Sequence, residues 1–340
     1  MILGIDTSNY TTSVALVDDD GKILKDCRQV LPVKKGHRGL RQSEALFEHV
    51  RNLPELMHTV IGDQPIKNAL KAIGVSVAPR PIRDSYMPVF RAGIGIAEIL
   101  SDAIQVPCYR LSHQEGHIRA AMCETEIFSW QHQLDANWQR QSEPMLAVHF
   151  SGGTSEILYV KRKKKGFQCK IVGRSLDLHA GQLVDRIGVM LGMDFPAGQA
   201  LERLANPSQT TPLKLATQVV DGDFHFSGME NAAKQSLQKG EEPANLAYAL
   251  FEAVGRTLGR AIIALLEKTE VSAVLFSGGV MANEIVKEEA RKRIFAFCRS
   301  HRRPVSLCFA KPQYATDNAI GCALLAKEAF EAEQKKACND

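Results

Sequence analysis

Two histidines four positions apart are the residues of this chain best placed to bind a metal ion. His113 and His117 lie in the run His-Gln-Glu-Gly-His, after the apolar segment 104–109, which is typical of a buried strand. On a helix, side chains at positions i and i+4 share one face, so both imidazoles could bind one ion. Histidines that only cover a helix surface have the same spacing. A metalloprotease-type zinc site is disfavoured, because that pattern needs glutamate beside the first histidine, where Gln114 stands.

Asp317 is the candidate for a third metal ligand. It lies in the run Thr-Asp-Asn at 316–318, directly before the C-terminal helical pattern 319–333. Capping of that helix is the ordinary explanation for such a residue. Two imidazoles and one carboxylate also suit Fe(II) or Zn(II), and they leave coordination positions open for a substrate.

Two glycine-containing turns could bind phosphate groups. The first, Ser-Gly-Gly-Thr at 151–154, follows a predicted strand, and the second, at 277–283, connects a strand to a helix. Glycines let a ligand approach the backbone, and a helix N-terminus favours anions. A tight turn without a ligand is the alternative in each case.

Asp185 lies inside an apolar helical pattern, where an ionised carboxylate is costly unless it has a partner. A ribose hydroxyl, a metal ion or the neighbouring Arg186 could be that partner. Gly198 and Glu202 follow in a turn and in the next helical pattern. The residues of interest in these turns and helices are Ser151, Gly152, Gly153, Thr154, Asp185, Gly198, Glu202, Gly278, Gly279 and Asn283, of which Gly198 and Glu202 take a nucleotide-binding role only from the family resemblance described below.

The elements that carry these residues indicate an internal duplication. Residues 1–25 and 145–171 each predict three strands joined by polar turns. Long helical patterns follow both, at 43–57 and 84–102 in the first half and at 244–268 and 283–299 in the second. Such a duplication is typical of actin-like ATPases and sugar kinases, in which turn amides contact nucleotide phosphates. An ordinary doubly wound α/β fold is the alternative. We predict an N-terminal lobe, 1–110, with the C-terminal helix 319–335 packed back on it, and a C-terminal lobe, 111–318, which carries the metal and nucleotide loops.

Composition agrees with a globular enzyme. The 340 residues are 45% hydrophobic and 24% charged, with a formal net charge of +4. No apolar run approaches the ~18 residues needed to span a bilayer, the first residues have a strand pattern rather than that of a signal peptide, and the eight cysteines are scattered. We therefore expect a cytoplasmic protein without a membrane partner.

Three polar stretches have less specific patterns. Basic clusters at 34–41 and 161–165 could contact nucleic-acid phosphates, although a solvated turn is the commoner explanation. The stretch 124–143, which contains both tryptophans, predicts a surface helix between the lobes.

The motifs together resemble the TsaD family, the tRNA threonylcarbamoyladenosine transferases once called O-sialoglycoprotein endopeptidases or glycoproteases. The resemblance extends from Leu-Gly-Ile-Asp-Thr-Ser at 3–8 to Thr-Asp-Asn-Ala at 316–319, and the run 113–117 is close to the family's metal-binding run. It implies an actin-like ATPase/sugar-kinase (ASKHA) fold with two duplicated RNase H-like lobes. It also implies transfer of a threonylcarbamoyl group from its adenylate to N6 of adenosine 37 in tRNA.

The resemblance also implies roles for individual residues and partners. His113, His117 and Asp317 would bind one divalent metal, Fe(II) or Zn(II). Ser151, Gly152 and Gly153 would line the phosphate region of an adenylate or ATP-type nucleotide, and Asp185, Gly198 and Asn283 would hold its nucleoside, with Glu202 nearby. Companion proteins similar to TsaB and TsaE would bind the N-terminal lobe.

Three loops depart from the family pattern, as in a divergent paralogue. The loop Ser-Gly-Gly-His-Thr is Ser-Gly-Gly-Thr-Ser at 151–155, acidic groups are missing from 6–12, and a Gly-Pro-Gly loop is replaced by 78–85. Two alternative functions therefore stay open. One is a non-catalytic nucleotide-binding scaffold in the same complex, and the other is a phosphotransferase of the sugar- or acetate-kinase type.

Overall fold

Strands that are apolar on both faces lie at the centre of each half of the chain. The computed structural model describes residues 1–8, 10–32, 40–62, 66–129, 143–206 and 213–338. Contacts divide the chain into two units. Unit 1 is Met1–Glu124, Arg162–Gln168 and Gln313–Asp340, and unit 2 is Thr125–Lys161 and Cys169–Pro312. In this division the segments 111–124, 162–168 and 313–318 belong to unit 1.

Unit 1 contains a five-stranded mixed sheet in the order β3-β2-β1-β4-β5. The first three strands form an antiparallel meander, and β4 and β5 continue from β1 in parallel. The strands are β1 (Ile2–Asp6), β2 (Thr11–Val17), β3 (Ile23–Val30), β4 (Ala72–Ala78) and β5 (Cys108–Ser112), and the helices are α1 (Gln42–Ile61), α2 (Ile66–Ala69), α3 (Phe90–Ile104), α4 (His113–Ala121) and α10 (Ile320–Ala337).

Helices cover both faces of this sheet. Leu3 and Ile5 pack in one apolar cluster with side chains of α1 and α3, whereas Ile2 packs in another with side chains of α10. Every residue of β1 and β2 is buried. A strand covered on both faces has no alternation of apolar and polar residues, which explains the continuous apolar runs in the sequence.

Glycines allow α10 to approach its neighbours at backbone contact. A Cβ atom on Gly74 of β4 would lie 2.2 Å from the carbonyl oxygen of Cys322, and one on Gly321 would lie 1.8 Å from that of Gly116 in α4. Helix α10 therefore rests directly on the sheet and crosses α4 closely. This packing places the residues just before α10 beside the start of α4.

Unit 2 repeats the arrangement with an added strand. The described part of its main sheet has the order β6-β13-β12-β7-β8-β9, with β7, β12 and β13 parallel. Its strands are β6 (Thr125–Ser129), β7 (Met145–Phe150), β8 (Ser155–Arg162), β9 (Phe167–Arg174), β12 (Ala273–Ser277) and β13 (Ser306–Ala310), and a small sheet contains β10 (Gln218–Val220) and β11 (Asp223–His225). The helices are α5 (Ala180–Met190), α6 (Gly198–Leu204), α7 (Ser227–Gln238), α8 (Pro243–Leu266) and α9 (Glu284–Ser300).

The two sheets confirm the α/β class and the duplication. In each unit an antiparallel meander continues into parallel strands that are covered by helices, and α8 is the central core helix of unit 2. Among the described residues, no helix is both long and apolar enough to cross a lipid bilayer.

Two local predictions differ from the structure. The surface helix predicted over 124–143 is wrong at its start, because 125–129 form β6, which pairs with β13. The helical pattern that begins at Asp84 becomes helix only at Phe90, where α3 starts. The segments 33–39 and 130–142, which include most of the first basic cluster and both tryptophans, lie outside the described residues.

Candidate metal centre and phosphate-binding turns

A capping box sets the start of α4 at the edge of the unit 1 sheet. The hydroxyl of Ser112 accepts a hydrogen bond from the amide of Glu115 (3.2 Å), and Glu115 Oε2 accepts one from the amide of Ser112 (3.0 Å). Glu115 Oε1 accepts a third hydrogen bond, from the amide of Phe167 (2.9 Å). Both carboxylate oxygens therefore hold backbone groups. Glu115 points away from the histidine face, which agrees with the absence of a metalloprotease-type pattern.

The three predicted metal ligands lie together. His117 Nε2 is 2.9 Å and His113 Nε2 is 3.6 Å from Asp317 Oδ1. The two imidazole rings meet edge to face, with centroids 4.3 Å apart. One ligand atom from each residue lies within 4.8 Å of the other two, and all three side chains are partly buried. Two imidazole nitrogens and a carboxylate oxygen in this arrangement form a donor set that could hold Fe(II) or Zn(II).

Asp6 is a member of the site that the sequence analysis did not identify. Its Oδ2 lies 2.6 Å from His113 Nδ1, and its Oδ1 accepts hydrogen bonds from the amide of Ser8 and the hydroxyl of Ser76, both at 2.8 Å. A carboxylate behind a ligating histidine fixes the ring orientation and the tautomer. A proton on Nδ1, beside Asp6, would leave Nε2 as the nitrogen of His113 that binds a metal ion on the side of Asp317.

The sequence offered one indication of Asp6, which is an acidic residue at the end of an apolar strand pattern. The strands β1, β4 and β5 are parallel, so their carboxyl ends lie at one edge of the sheet, and this edge is where α/β folds bind ligands. Asp6 ends β1 as a buried acid, and α4 starts directly after β5.

Charge pairing dominates the ionisation of this cluster. Burial disfavours the charged form of His113, but the negative charge of Asp6 and the hydrogen bonds to Asp317 and Asp6 outweigh it and raise the pKa of His113 to about 10. Burial also opposes ionisation of the two acids, yet His113 holds the pKa of Asp6 below its ordinary value, and both histidines hold the pKa of Asp317 well below it. A metal ion bound to Nε2 of His113 would have to displace a proton, so metal binding should weaken as the pH falls.

The two glycine turns of unit 2 lie at one edge of its sheet. Strands β7 and β12 are parallel neighbours, with Ser277 beside His149, so the turns that follow them start side by side. A Cβ atom added to Gly152, Gly153 or Gly279 would meet nothing within 4 Å, so there is space beside these three Cα atoms. Open amides at such turns suit a phosphate group.

Neighbouring groups hold both turns in place. Gly278 has φ +96°, and a Cβ atom there would lie 2.2 Å from the carbonyl oxygen of Phe150, so this position requires glycine. The amide of Gly181, in the first turn of α5, donates to the carbonyl of Ser151 (3.2 Å). At the start of the same helix, His179 Nδ1 is buried without a hydrogen-bond partner among the described residues. The sequence analysis did not single out His179.

Asp185 and Glu202 contact backbone groups of unit 2. Asp185 Oδ1 accepts from the amide of Ala197 (2.8 Å), just before Gly198. Burial raises the pKa of Asp185, against the hydrogen bonds from the amides of Ala197 and Gly198. Its neighbour Arg186 pairs with Glu230 instead (3.0 Å). Glu202 Oε1 accepts from the amide of Glu284 (3.2 Å) at the start of α9.

The side chain of Asn283 forms one hydrogen bond through its oxygen, and its nitrogen has no partner among the described residues. Its Oδ1 caps α9 by accepting from the amide of Val286 (3.0 Å). Its Nδ2 is buried and has no hydrogen-bond partner within the described segments of the chain. A buried donor of this kind is costly unless a ligand satisfies it.

Comparisons with solved structures show the fold. HypF from T. kodakarensis superposes with a TM-score of 0.57 at 13% identity, over 98% of this chain, which spans about half (47%) of HypF. A ROK family glucokinase from Streptomyces griseus, solved with glucose and AMPPNP, superposes with a TM-score of 0.53 at 12% identity, over 96% of this chain and 99% of the glucokinase. The predicted actin-like ATPase/sugar-kinase fold is confirmed.

Comparisons of sequence show the family. Proteins named tRNA N6-adenosine threonylcarbamoyltransferase from Nitrosomonas eutropha and Methylobacillus flagellatus are each 26% identical to this chain, over 95% and 94% of its length and 90% and 89% of their own. The family model TsaD, tRNA N6-adenosine threonylcarbamoyltransferase, matches residues 33–324. The chain belongs to the TsaD family of transferases.

Proposed function

We propose that this protein catalyses metal-dependent transfer of a threonylcarbamoyl group from threonylcarbamoyl-AMP to N6 of adenosine 37 in tRNA, or a closely related carbamoyl-type transfer. One observation carries the proposal. His113, His117 and Asp317 converge with their ligand atoms within 4.8 Å, and Asp6 supports His113 from behind. A supported donor set of this kind is costly to keep buried unless it binds an ion, since both acids are taken from water.

The residues of unit 1 would hold and orient the metal. His113 Nε2, His117 Nε2 and Asp317 Oδ1 would be its ligands, and Fe(II) or Zn(II) bound there would supply Lewis-acid polarisation of the carbamoyl or phosphate oxygens. With the metal bound, Asp6 would hold the remaining proton of His113 on Nδ1, which leaves Nε2 to the ion.

The residues of unit 2 would bind the adenylate. Gly152, Gly153 and Gly279 leave space for its phosphate to approach the backbone, and Asn283 Nδ2 is a buried donor without a partner among the described residues that could bind its nucleoside. Asp185 and Glu202 would act by holding the turn at Gly198 and the start of α9. Ser151, Thr154 and Gly278, which were also predicted from the sequence, would form part of the two phosphate-binding turns.

In the proposed reaction the N6 amine of adenosine attacks the carbamoyl carbon. A new C–N bond forms, the bond from that carbon to the phosphate oxygen breaks, and AMP leaves with the electron pair while the attacking nitrogen loses a proton. tRNA is the proposed acceptor, proteins similar to TsaB and TsaE are proposed companions, and the cytoplasm is the proposed location.

A non-catalytic nucleotide-binding scaffold is the second candidate, and one observation favours it. At the two positions where the family opening has acidic groups, this chain has Tyr10, which is 37% exposed, and Thr11, which is buried. Neither side chain can supply a carboxylate at this point of unit 1. A sugar- or acetate-kinase-like phosphotransferase is the remaining alternative, which rests on the fold.

Metal analysis combined with a transfer assay tests the proposal. The proteins compared are the wild type, His113→Ala/His117→Ala, and a control with two exposed histidines changed, His58→Ala/His301→Ala. We expect stoichiometric metal in the wild type and the control, and loss well over tenfold in the first variant. Transfer from threonylcarbamoyl-AMP to a tRNA transcript, with companion proteins present, should follow the metal.

Three results would contradict the proposal. If His113→Ala/His117→Ala retains its metal, the two histidines are not the metal ligands. Nucleotide binding by the wild type without transfer, with companion proteins supplied, would favour the scaffold. Phosphate transfer from ATP to a small acceptor that persists in the double variant would favour the kinase.

A further inference from the structure

The turn that joins β8 to β9 is a compact, strongly basic tip. Residues 161–165 read Lys-Arg-Lys-Lys-Lys, and the amide of Lys163 donates to the carbonyl of Gly166 (3.0 Å) to close the turn. Gly166 has φ +71°, a conformation that favours glycine. Five consecutive cations on a tight turn repel one another, and solvent, salt, acidic partners in the protein or an anionic ligand can reduce that repulsion.

Acidic side chains of unit 1 hold the base of this tip. Glu115 accepts from the amide of Phe167, and a Cβ atom on Gly166 would lie 2.2 Å from Glu115 Oε1. Glu115 lies between His113 and His117 in sequence but on the other face of α4, because two positions on a helix are about 200° apart. The tip is therefore fastened to the back of the helix that carries the candidate metal ligands.

Two acids of α10 neutralise two of the five cations. Glu328 forms an ion pair with Arg162, and Glu333 forms one with Lys165. Glu333 also accepts from the hydroxyl of Tyr109 (2.6 Å). These contacts are specific to the flanks of the tip and fix its position on unit 1.

Lys163 and Lys164, at the apex, are left with unbalanced charge. Both are exposed, and neither has an ion pair within the described part of the chain. Lys336, which follows Glu333 by one helical turn, adds a further exposed cation to the same carboxylate. The result is a positively charged surface, defined here as the tip surface: Lys163, Lys164 and Lys336.

We propose that the tip surface contacts the phosphate backbone of a structured RNA. This inference rests on the proposed function, because the RNA would be its tRNA acceptor. Lysines are point charges on exposed stems, without a groove or an exposed aromatic side chain beside them to read a base, so they suit phosphate contacts that position the RNA. A membrane surface is disfavoured, because the two aromatic residues that the tip contacts, Phe167 and Tyr109, are 3% and 8% exposed and cannot insert into lipid.

The salt dependence of tRNA binding tests this inference. Binding of unmodified tRNA transcripts with and without adenosine at position 37 is measured over a range of salt concentrations. The proteins are the wild type, Lys163→Gln/Lys164→Gln, and the control Lys239→Gln/Lys292→Gln, whose lysines are exposed in unit 2. Each lost phosphate contact lowers the slope of log K against log salt by about 0.7–0.9.

The expected result is a slope reduced by about 1.4–1.8 in the tip variant, and at 0.1 M salt an affinity reduced about 25- to 60-fold. Both transcripts should lose affinity equally, because the contacts do not read bases. The control should bind as the wild type does, and the metal content of all three proteins should be the same.

Three outcomes would overturn the inference. The first is unchanged tRNA affinity in the tip variant, and the second is an equal loss of tRNA affinity in the control. The third is that the wild type binds phosphatidylserine vesicles and the tip variant loses that binding but keeps its affinity for tRNA. If the tip variant binds tRNA normally and still transfers the group, only this inference fails. If tRNA binding depends on the tip but no transfer occurs, the inference stands and the proposed function fails.

Discussion

The substitution Asp6→Asn isolates the contribution of the carboxylate behind His113. Asparagine has nearly the same shape, so the hydrogen bonds from Ser8 and Ser76 can persist at its oxygen. The charge that orients His113 through a 2.6 Å contact is lost. The substitution changes no metal ligand, which separates support of the site from ligation itself.

The expected loss of metal affinity follows from similar supports in other metal sites. Removing a carboxylate that orients a ligating histidine costs about 10–100-fold in affinity, or about 1.4–2.8 kcal/mol. Asp6 also stabilises the proton on His113 that competes with the metal, and this effect opposes the loss. The difference between wild type and Asp6→Asn should therefore widen as the pH is raised toward about 10, where the competing proton leaves.

Competition against a chromophoric chelator measures this affinity for Zn(II) at several pH values. The control is Asp102→Asn, which changes an exposed acid at the end of α3. Unchanged affinity in Asp6→Asn at high pH would refute the argument that Asp6 supports His113. A loss as complete as that of His113→Ala would show instead that Asp6 is itself a ligand.

Three further predictions concern packing and ionisation. Gly321→Ala forces a Cβ atom against the carbonyl of Gly116, so the free energy of unfolding, measured with denaturant, should fall by about 1–3 kcal/mol, and metal titration should show weaker binding. The control Gly95→Ala has open space around it and should be neutral or slightly stabilising. Gly278→Ala should lower adenylate affinity in a binding titration, because its φ of +96° and the nearby carbonyl of Phe150 force the turn to move. Burial opposes ionisation of Asp177, but hydrogen bonds from the amides and hydroxyl that surround it hold its pKa below the ordinary value. The ionised carboxylate of Asp177 therefore stabilises the fold above its unfolded pKa of about 4, and this contribution is lost as the pH falls toward the folded pKa. In urea unfolding, Asp177→Asn should be less stable than the wild type at neutral pH, and the difference in unfolding free energy should shrink in acid.

The sequence alone determined the features that depend on neighbouring residues. The spacing of His113 and His117 places both on one face of a helix whatever the rest of the fold does. Apolar runs joined by polar turns indicated the two meanders, and the glycine turns that follow β7 and β12 were visible as Ser-Gly-Gly and Gly-Gly pairs. These patterns were sufficient for the fold class, because helix and strand periodicity is local.

Only the tertiary structure decided which distant residues meet. Asp6 lies 107 positions from His113, and Asp317 lies 200 positions from His117. Their contacts arise because parallel strands bring their carboxyl ends to one edge and because glycines let α10 cross α4 at backbone distance. The partner of Asp185 is a backbone amide in a later turn, although Arg186 is adjacent, and the flanks of the basic tip are neutralised by acids more than 160 positions away. Long-range contacts of this kind depend on how whole elements pack, and no local pattern of residue types specifies that packing.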